Sequence, residues 1–202
     1  MREYTALLAE VMARMYRSGL IDVKGGNASI RVKLGDVDLV LITPGGVAKD
    51  SISPEDIAAL TLKGVVIYGK PSSEYRLHLE IYRAIREAVA VVHAHNPLAT
   101  IIAASIPLET FMPEAIDTCI TRVPHLPAGS PGLAKETAKR LASSGCRIAV
   151  LEAHGVVALG VGEPREALIQ ALDLIEAVEN AAKRALAALA LGASVAGSLV
   201  KL

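Results

Sequence analysis

Residues 146–160, CRIAVLEAHGVVALG, contain two apolar runs that read as strands joined at or near His154-Gly155. That join is too short to hold a crossover helix, so the two strands pair antiparallel. The same constraint recurs along the chain. VDLVLITPGG (37–46) reads as a buried strand stopped by a Pro-Gly-Gly turn, LKGVVIYG (62–69) as another, and VAVVHAH (89–95) as a third. Helical patterns interleave with them. Leu7, Leu8, Val11, Met12 and Met15 recur at helical spacing within residues 3–18. PSSEYRLHLEIYRAIREA (71–88) is amphipathic, with serines and Glu74 in its first turn, and a long helix begins at Glu163-Pro164. SPEDIAAL reads as a helix start with Ser53 as N-cap, Pro54 at N1 and Asp56 at N3, and NPLATIIAAS as another with Asn96 as cap and Pro97 at N1. Helices alternating with hairpin-spaced strands predict an α/β fold: three layers, α/β/α, around a central mixed, largely antiparallel sheet, with residues 1–202 as a single domain.

Composition narrows the function. The 202 residues carry 21 Lys+Arg and 21 Asp+Glu, with no basic run, so no nucleic-acid partner is expected. Arg2, Glu3, Glu10 and Arg14 interrupt the N-terminal apolar pattern, so no secretory signal is read there. The apolar stretch 185–200 is mostly Ala, Gly and Ser and falls short of the roughly 18 apolar residues of a spanning helix. It reads as a buried or subunit-facing helix end and tail, and the expectation is a cytoplasmic protein without a membrane partner. Mean hydropathy is high (+0.42), which suggests subunit contacts as well as a core. One glutamine and three asparagines fit a thermophilic source, although compositional bias has other causes. Cys119 and Cys146 form no CxxC and are read as reduced, apolar packing residues.

Five histidines are present, and two of them, His93 and His95, fall at a strand end. Residues i and i+2 of a strand share a face, so both imidazoles emerge together. The pair suits a divalent metal, and two packed histidines are the alternative. His154, beside a glycine at another strand end, offers a third ligand. Three histidines with an open position is the pattern of a catalytic zinc site. His78 reads as a packing or helix-surface histidine, and His125 is left unassigned.

Three loops have anion-binding character, each equally explicable as a turn or cap. They are Gly26-Asn27 in KGGNAS, Gly45-Gly46 in TPGG, and Ser72-Ser73 at a helix start. Glu74 is either a helix-start carboxylate or a proton-transfer group. Neither a P-loop nor GxGxxG occurs, so NTP and dinucleotide binding are unsupported.

In order, GGNASIR, LITPGG, PSSEYRLH, VVHAHNP and EAHGVVALG resemble the motifs of the class II aldolase/adducin family over nearly the whole chain. The resemblance implies a divalent metal, zinc or else Mn2+ or Co2+, on His93, His95 and His154, with Glu74 as acid/base and as a metal ligand when no substrate is present. It assigns the substrate phosphate to Gly26, Asn27, Gly45, Gly46, Ser72 and Ser73. It implies an aldehyde-lyase that cleaves a short ketose 1-phosphate of the fuculose 1-phosphate type. The products would be dihydroxyacetone phosphate and an aldehyde, formed through a metal-stabilised enediolate. A homotetramer with active sites at subunit interfaces is implied too. A pentulose-phosphate 4-epimerase, a methylthioribulose-1-phosphate dehydratase and a non-enzymatic adducin-head-like domain are the family alternatives. Two departures bear on the aldehyde half. Phe111 stands where the aldolases carry a tyrosine after Ile-Pro, and the tail LGASVAGSLVKL has no tyrosine. Lys24 replaces a more usual neutral residue and reads either as a solvated loop lysine or as a cation near the phosphate.

Overall fold

The computed structural model describes residues 1–113 and 119–192. Among them the helices are α1 (Arg2–Arg17), α2 (Tyr75–Ala84), α3 (Ala99–Ile102), α4 (Pro131–Ser144) and α5 (Pro164–Ala190). The strands are β1 (Asn27–Leu34), β2 (Val37–Ile42), β3 (Ala58–Thr61), β4 (Val66–Tyr68), β5 (Ala88–Ala94), β6 (Ile120–Val123), β7 (Ile148–Leu151) and β8 (Gly155–Val161). They form one eight-stranded sheet in the order β4-β3-β2-β1-β5-β8-β7-β6. Every neighbouring pair is antiparallel except β6 and β7. The mixed, largely antiparallel sheet expected from hairpin spacing is therefore present.

Alternation along the strands sends apolar side chains to both faces, which is why two separate cores exist. Ile30, Val92 and Ala158 pack with Leu8, Met12, Leu168 and Ile175 of α1 and α5. Val40, Val91, Val157 and Leu159 pack on the other face with Leu77, Ile81, Leu133 and Leu141 of α2 and α4. Three α/β/α layers follow.

Two expected helices are shorter than their start signals suggest. SPEDIAAL keeps its capping box at Ser53 and Asp56, but makes only the 3-10 turn Pro54–Asp56. Ala58 to Thr61 are then taken as β3 by pairing with Leu39 to Ile42, a tertiary override of local propensity. NPLATIIAAS forms only the single turn α3. Asn96 does not cap it. Its Nδ2 donates 3.1 Å to the Ile175 carbonyl, and the Glu179 carboxylate of α5 accepts from the N–H groups of Leu98 and Ala99. In α2, Glu74 is the N-cap rather than a first-turn residue.

The cysteines also depart from expectation. Cys119 and Cys146 form a disulfide, with Cα atoms 5.0 Å apart. They lie just before the parallel partners β6 and β7, whose register pairs Ile120 with Ile148. Spatial adjacency, invisible in a 27-residue separation, brings the thiols together. No described helix is long and apolar enough to cross a membrane. Residues 193–200 of the apolar stretch 185–200 lie outside the described residues.

Closing a loop of 27 residues stabilises the native state by about 3 kcal/mol on chain-entropy grounds. Thermal melts with and without reductant should differ by about 6–12 °C. Identical melts, with both thiols open to alkylation, would contradict the pairing.

Candidate metal centre and phosphate cradle

Antiparallel pairing gathers the candidate residues at one end of the sheet. Asn27 opens β1 and pairs with His93 near the end of β5, which in turn pairs with Val157 near the start of β8. His95 follows β5, and His154 sits in the turn between β7 and β8, held by its N–H to the Leu151 carbonyl at 3.1 Å. The preceding Ala153 takes φ 54°, a left-handed value that non-glycine residues adopt at a cost of about 1 kcal/mol.

One ligand nitrogen from each of His93, His95 and His154 lies within 4.8 Å of the others. His93 Nδ1 donates to the Val156 carbonyl at 3.0 Å, which leaves Nε2 as the free lone pair. That Nε2 and His154 Nδ1 are buried without a hydrogen-bond partner among the described residues. Unpartnered buried nitrogens are costly unless something else satisfies them, and a divalent metal fits this donor set. Burial, then the neighbouring His154 and His95, hold His93 well below the ordinary histidine value. Burial, then His95 and His125, bring His154 to about 4. Burial also lowers His95, with Asp22 opposing. All three favour the neutral form that binds metals. Glycines admit this packing: a Cβ at Gly25 would sit 2.9 Å from His95 Nδ1, and one at Gly155 3.0 Å from His93 Cε1.

The three loops meet beside the histidines. Thr43 exchanges hydrogen bonds with Ala28, and Ser72 N–H donates to the Thr43 carbonyl at 3.1 Å. A Cβ at Gly45 would lie 3.4 Å from the Ser73 nitrogen, so glycine there keeps the cradle open. Gly26 and Gly46 take positive φ, 67° and 77°. Gly26-Asn27, Gly45-Gly46 and Ser72-Ser73 are thus brought to the same end of the sheet.

Glu74 is buried, and its Oε2 has no partner. Burial raises its pKa, against the opposing hydrogen bond from the Gly129 backbone. It does not belong to the three-histidine group defined by mutual ligand distances. A cavity of about 840 Å³ lies elsewhere: Arg31, Asp38, Val89 and Glu163 line it at the opposite strand ends.

Lys49 escaped the sequence reading, and so did the partners of His78. Lys49 is buried, its Nζ donating 2.8 Å to the Pro44 carbonyl of the TPGG turn, and burial lowers it to about 8. Nothing local in VAKDS marks it. Of the two readings of His78, packing or helix surface, the structure bears out packing: the ring is fully buried against Asn27 and Ser29, partners the sequence did not name. Its signal was available in principle, since Asn27 and Ser29 share a strand face while His78 and Tyr82 are one helical turn apart.

The family described as Class II Aldolase and Adducin N-terminal domain matches residues 6–186. The chain belongs to the class II aldolase/adducin family. It is 34% identical over 177 residues to an L-fuculose phosphate aldolase of Methanocaldococcus jannaschii, covering 86% of this chain and 91% of that protein. It is 36% identical to the 5-methylthioribulose-1-phosphate/5-deoxyribulose-1-phosphate aldolase of Escherichia coli, covering 73% of this chain and 68% of that one. Among solved structures it resembles the L-fuculose-1-phosphate aldolase of Thermus thermophilus, with TM-score 0.79, 31% identity, and coverage of 96% and 100%. Family membership supports a lyase.

Burial depresses His78 from 6.5 to about 3. Between those values the unfolded chain binds a proton that the folded chain does not, so stability falls as pH drops below 6.5. One such residue contributes about 1.4 kcal/mol per pH unit. Denaturant titrations at pH 6.5 and 5 should show wild type losing about 1–2 kcal/mol more than His78→Gln. Equal losses would refute a neutral buried ring.

Proposed function

We propose that this protein is a metal-dependent aldolase acting on a short ketose 1-phosphate, releasing dihydroxyacetone phosphate and an aldehyde. The observation that carries this reading is the convergence of His93, His95 and His154, with unpartnered ligand nitrogens, beside a glycine- and serine-lined cradle. His93, His95 and His154 would hold the metal, zinc first and Mn2+ or Co2+ as alternatives. A divalent metal supplies Lewis-acid stabilisation of negative charge developing next to a carbonyl.

The chain's own residues do the rest. Gly26, Asn27, Gly45, Gly46, Ser72 and Ser73 bind the phosphate through backbone N–H, amide and hydroxyl donors at the start of α2. Anchoring that end holds the scissile C–C bond at the histidines. When the bond breaks, its electron pair stays with the phosphate-bearing fragment, the hydroxyl on the departing carbon gives up its proton as that carbon becomes the aldehyde, and Glu74 delivers a proton to the carbon left behind, so that no net proton is gained or lost. A carboxyl whose pKa is raised by burial is suited to that exchange. In the substrate-free protein Glu74 would be an additional ligand for the metal held by the histidines.

The aldehyde half stays open. Phe111 lacks a hydroxyl, and the tyrosine-free tail lies largely outside the described residues. The name of the Escherichia coli relative supports testing deoxyribulose- and methylthioribulose-type phosphates beside fuculose 1-phosphate. We also propose a homotetramer. Val65, Val66, Ile67 and Tyr68, exposed on edge strand β4, are surface that an assembly would bury. Light scattering should give about four times the 21.1 kDa chain mass; a monodisperse monomer would overturn the assembly.

Incubation with fuculose 1-phosphate, ribulose 5-phosphate and methylthioribulose 1-phosphate, each with zinc, manganese or cobalt, tests the reaction. Dihydroxyacetone phosphate is the expected product, and an epimer or dehydrated ketone alone would replace the aldolase reading. Glu74→Gln should retain metal and lose about 10²–10⁴-fold in turnover. His154→Ala should lose bound metal by elemental analysis while keeping its circular dichroism. Undiminished turnover in the first variant would remove Glu74 from the mechanism.

A further inference from the structure

The phosphate reading leaves unexplained a buried polar chain on the α2 face of the sheet. His78 Nε2 lies 2.5 Å from Asn27 Oδ1, and its Nδ1 lies 2.7 Å from Ser29 Oγ. Ser29 Oγ is 2.7 Å from the Tyr82 hydroxyl, which is 3.4 Å from the Val89 carbonyl. Asn27, Ser29, His78 and Tyr82 are all buried. Burial keeps the ring neutral, with a pKa near 3, so it carries one proton and one lone pair.

Two proton orders satisfy the contacts among Asn27, His78, Ser29 and Tyr82; the first leaves the longer contact to the Val89 carbonyl unmade. In the first, Tyr82 donates to Ser29, Ser29 donates to Nδ1, and Nε2–H donates to Asn27 Oδ1. In the second, the protons run the other way and end on the Val89 carbonyl, and the Asn27 amide is turned over to donate to the ring. The distances favour the first order: the 2.7 Å contact between Ser29 and Tyr82 belongs to both, and only the second depends on the long 3.4 Å contact from Tyr82 to the Val89 carbonyl. The first order also leaves Asn27 Nδ2, which has no partner among the described residues, as the outward group. In the second order a carbonyl oxygen would face the cradle and repel an anion.

We propose that His78 is a positioning residue which, held as its Nε2–H tautomer by Ser29 and Tyr82, pins the Asn27 oxygen and so presents the Asn27 N–H donors to the substrate phosphate. This inference rests on the proposed phosphate cradle. His78 acts through Asn27 alone, and removing it frees the amide to turn its oxygen toward the anion.

The test uses the zinc-loaded protein. Nitrogen-15 NMR of the histidine rings should show His78 protonated at Nε2, and protonation at Nδ1 would overturn the proposal. Calorimetric titration with inorganic phosphate supplies the second readout. His78→Leu should weaken binding about 10–100-fold, as expected when a donor to an anion is lost. His78→Gln, which retains a donor at the Nε2 position, should stay within about threefold. Ser29→Ala, a smaller perturbation of the core, should give an intermediate loss and keeps the idea testable if His78→Leu does not fold. In an Asn27→Ala background, His78→Leu should cost nothing further. Additive losses would show that His78 serves the fold generally and overturn the proposal while leaving the cradle standing. Wild type that binds no phosphate would overturn the cradle and this inference together.

Discussion

The antiparallel register that sets Asn27 beside His93, and His93 beside Val157, is the constraint on which the site depends. It places the start of β1, the end of β5 and the start of β8 at one end of the sheet, although they are far apart in sequence. The backbones must approach closely for this to work. A Cβ at Gly26 would come within 2.9 Å of the His93 carbonyl oxygen, and one at Gly155 would collide with the Ala94 carbonyl. A one-residue slip in β5 would send His93 to the opposite face.

Around that register the protein tolerates polar groups that a plain core would not. His93 Nε2, His154 Nδ1 and Glu74 Oε2 are buried without partners, and the Lys49 ammonium has a single carbonyl acceptor. Such groups destabilise an unliganded fold. Their concentration at one end of the sheet, with pKa values displaced by burial, is the signature of a site organised for a ligand. The apolar layers on both faces supply the compensating stability: α1 and α5 on one side, α2 and α4 on the other.

Much of this was readable before any coordinates. Hairpin-length joins imposed antiparallel pairing, and residues i and i+2 of β5 had to emerge together. The two shortened helices were not readable, because Ala58–Thr61 and Asn96 are claimed by partners distant in sequence, β2 and α5 respectively. The Cys119–Cys146 pair was misread for a similar reason: adjacency of β6 and β7 leaves no trace in cysteine spacing. Lys49 was missed, and the partners of the packed His78 went unnamed, because a lone polar residue in an apolar pattern does not say what it will face.

By itself the sequence determined the layer architecture and the identity of the three histidines, since period and loop length act locally and need no knowledge of distant neighbours. Tertiary structure decided how closely His154 approaches the other two, and it alone decided that the glycine and serine loops become neighbours and that His78 backs Asn27. Each of those is a contact between segments separated by dozens of residues, and only the packed sheet, with its particular strand order, sets such distances.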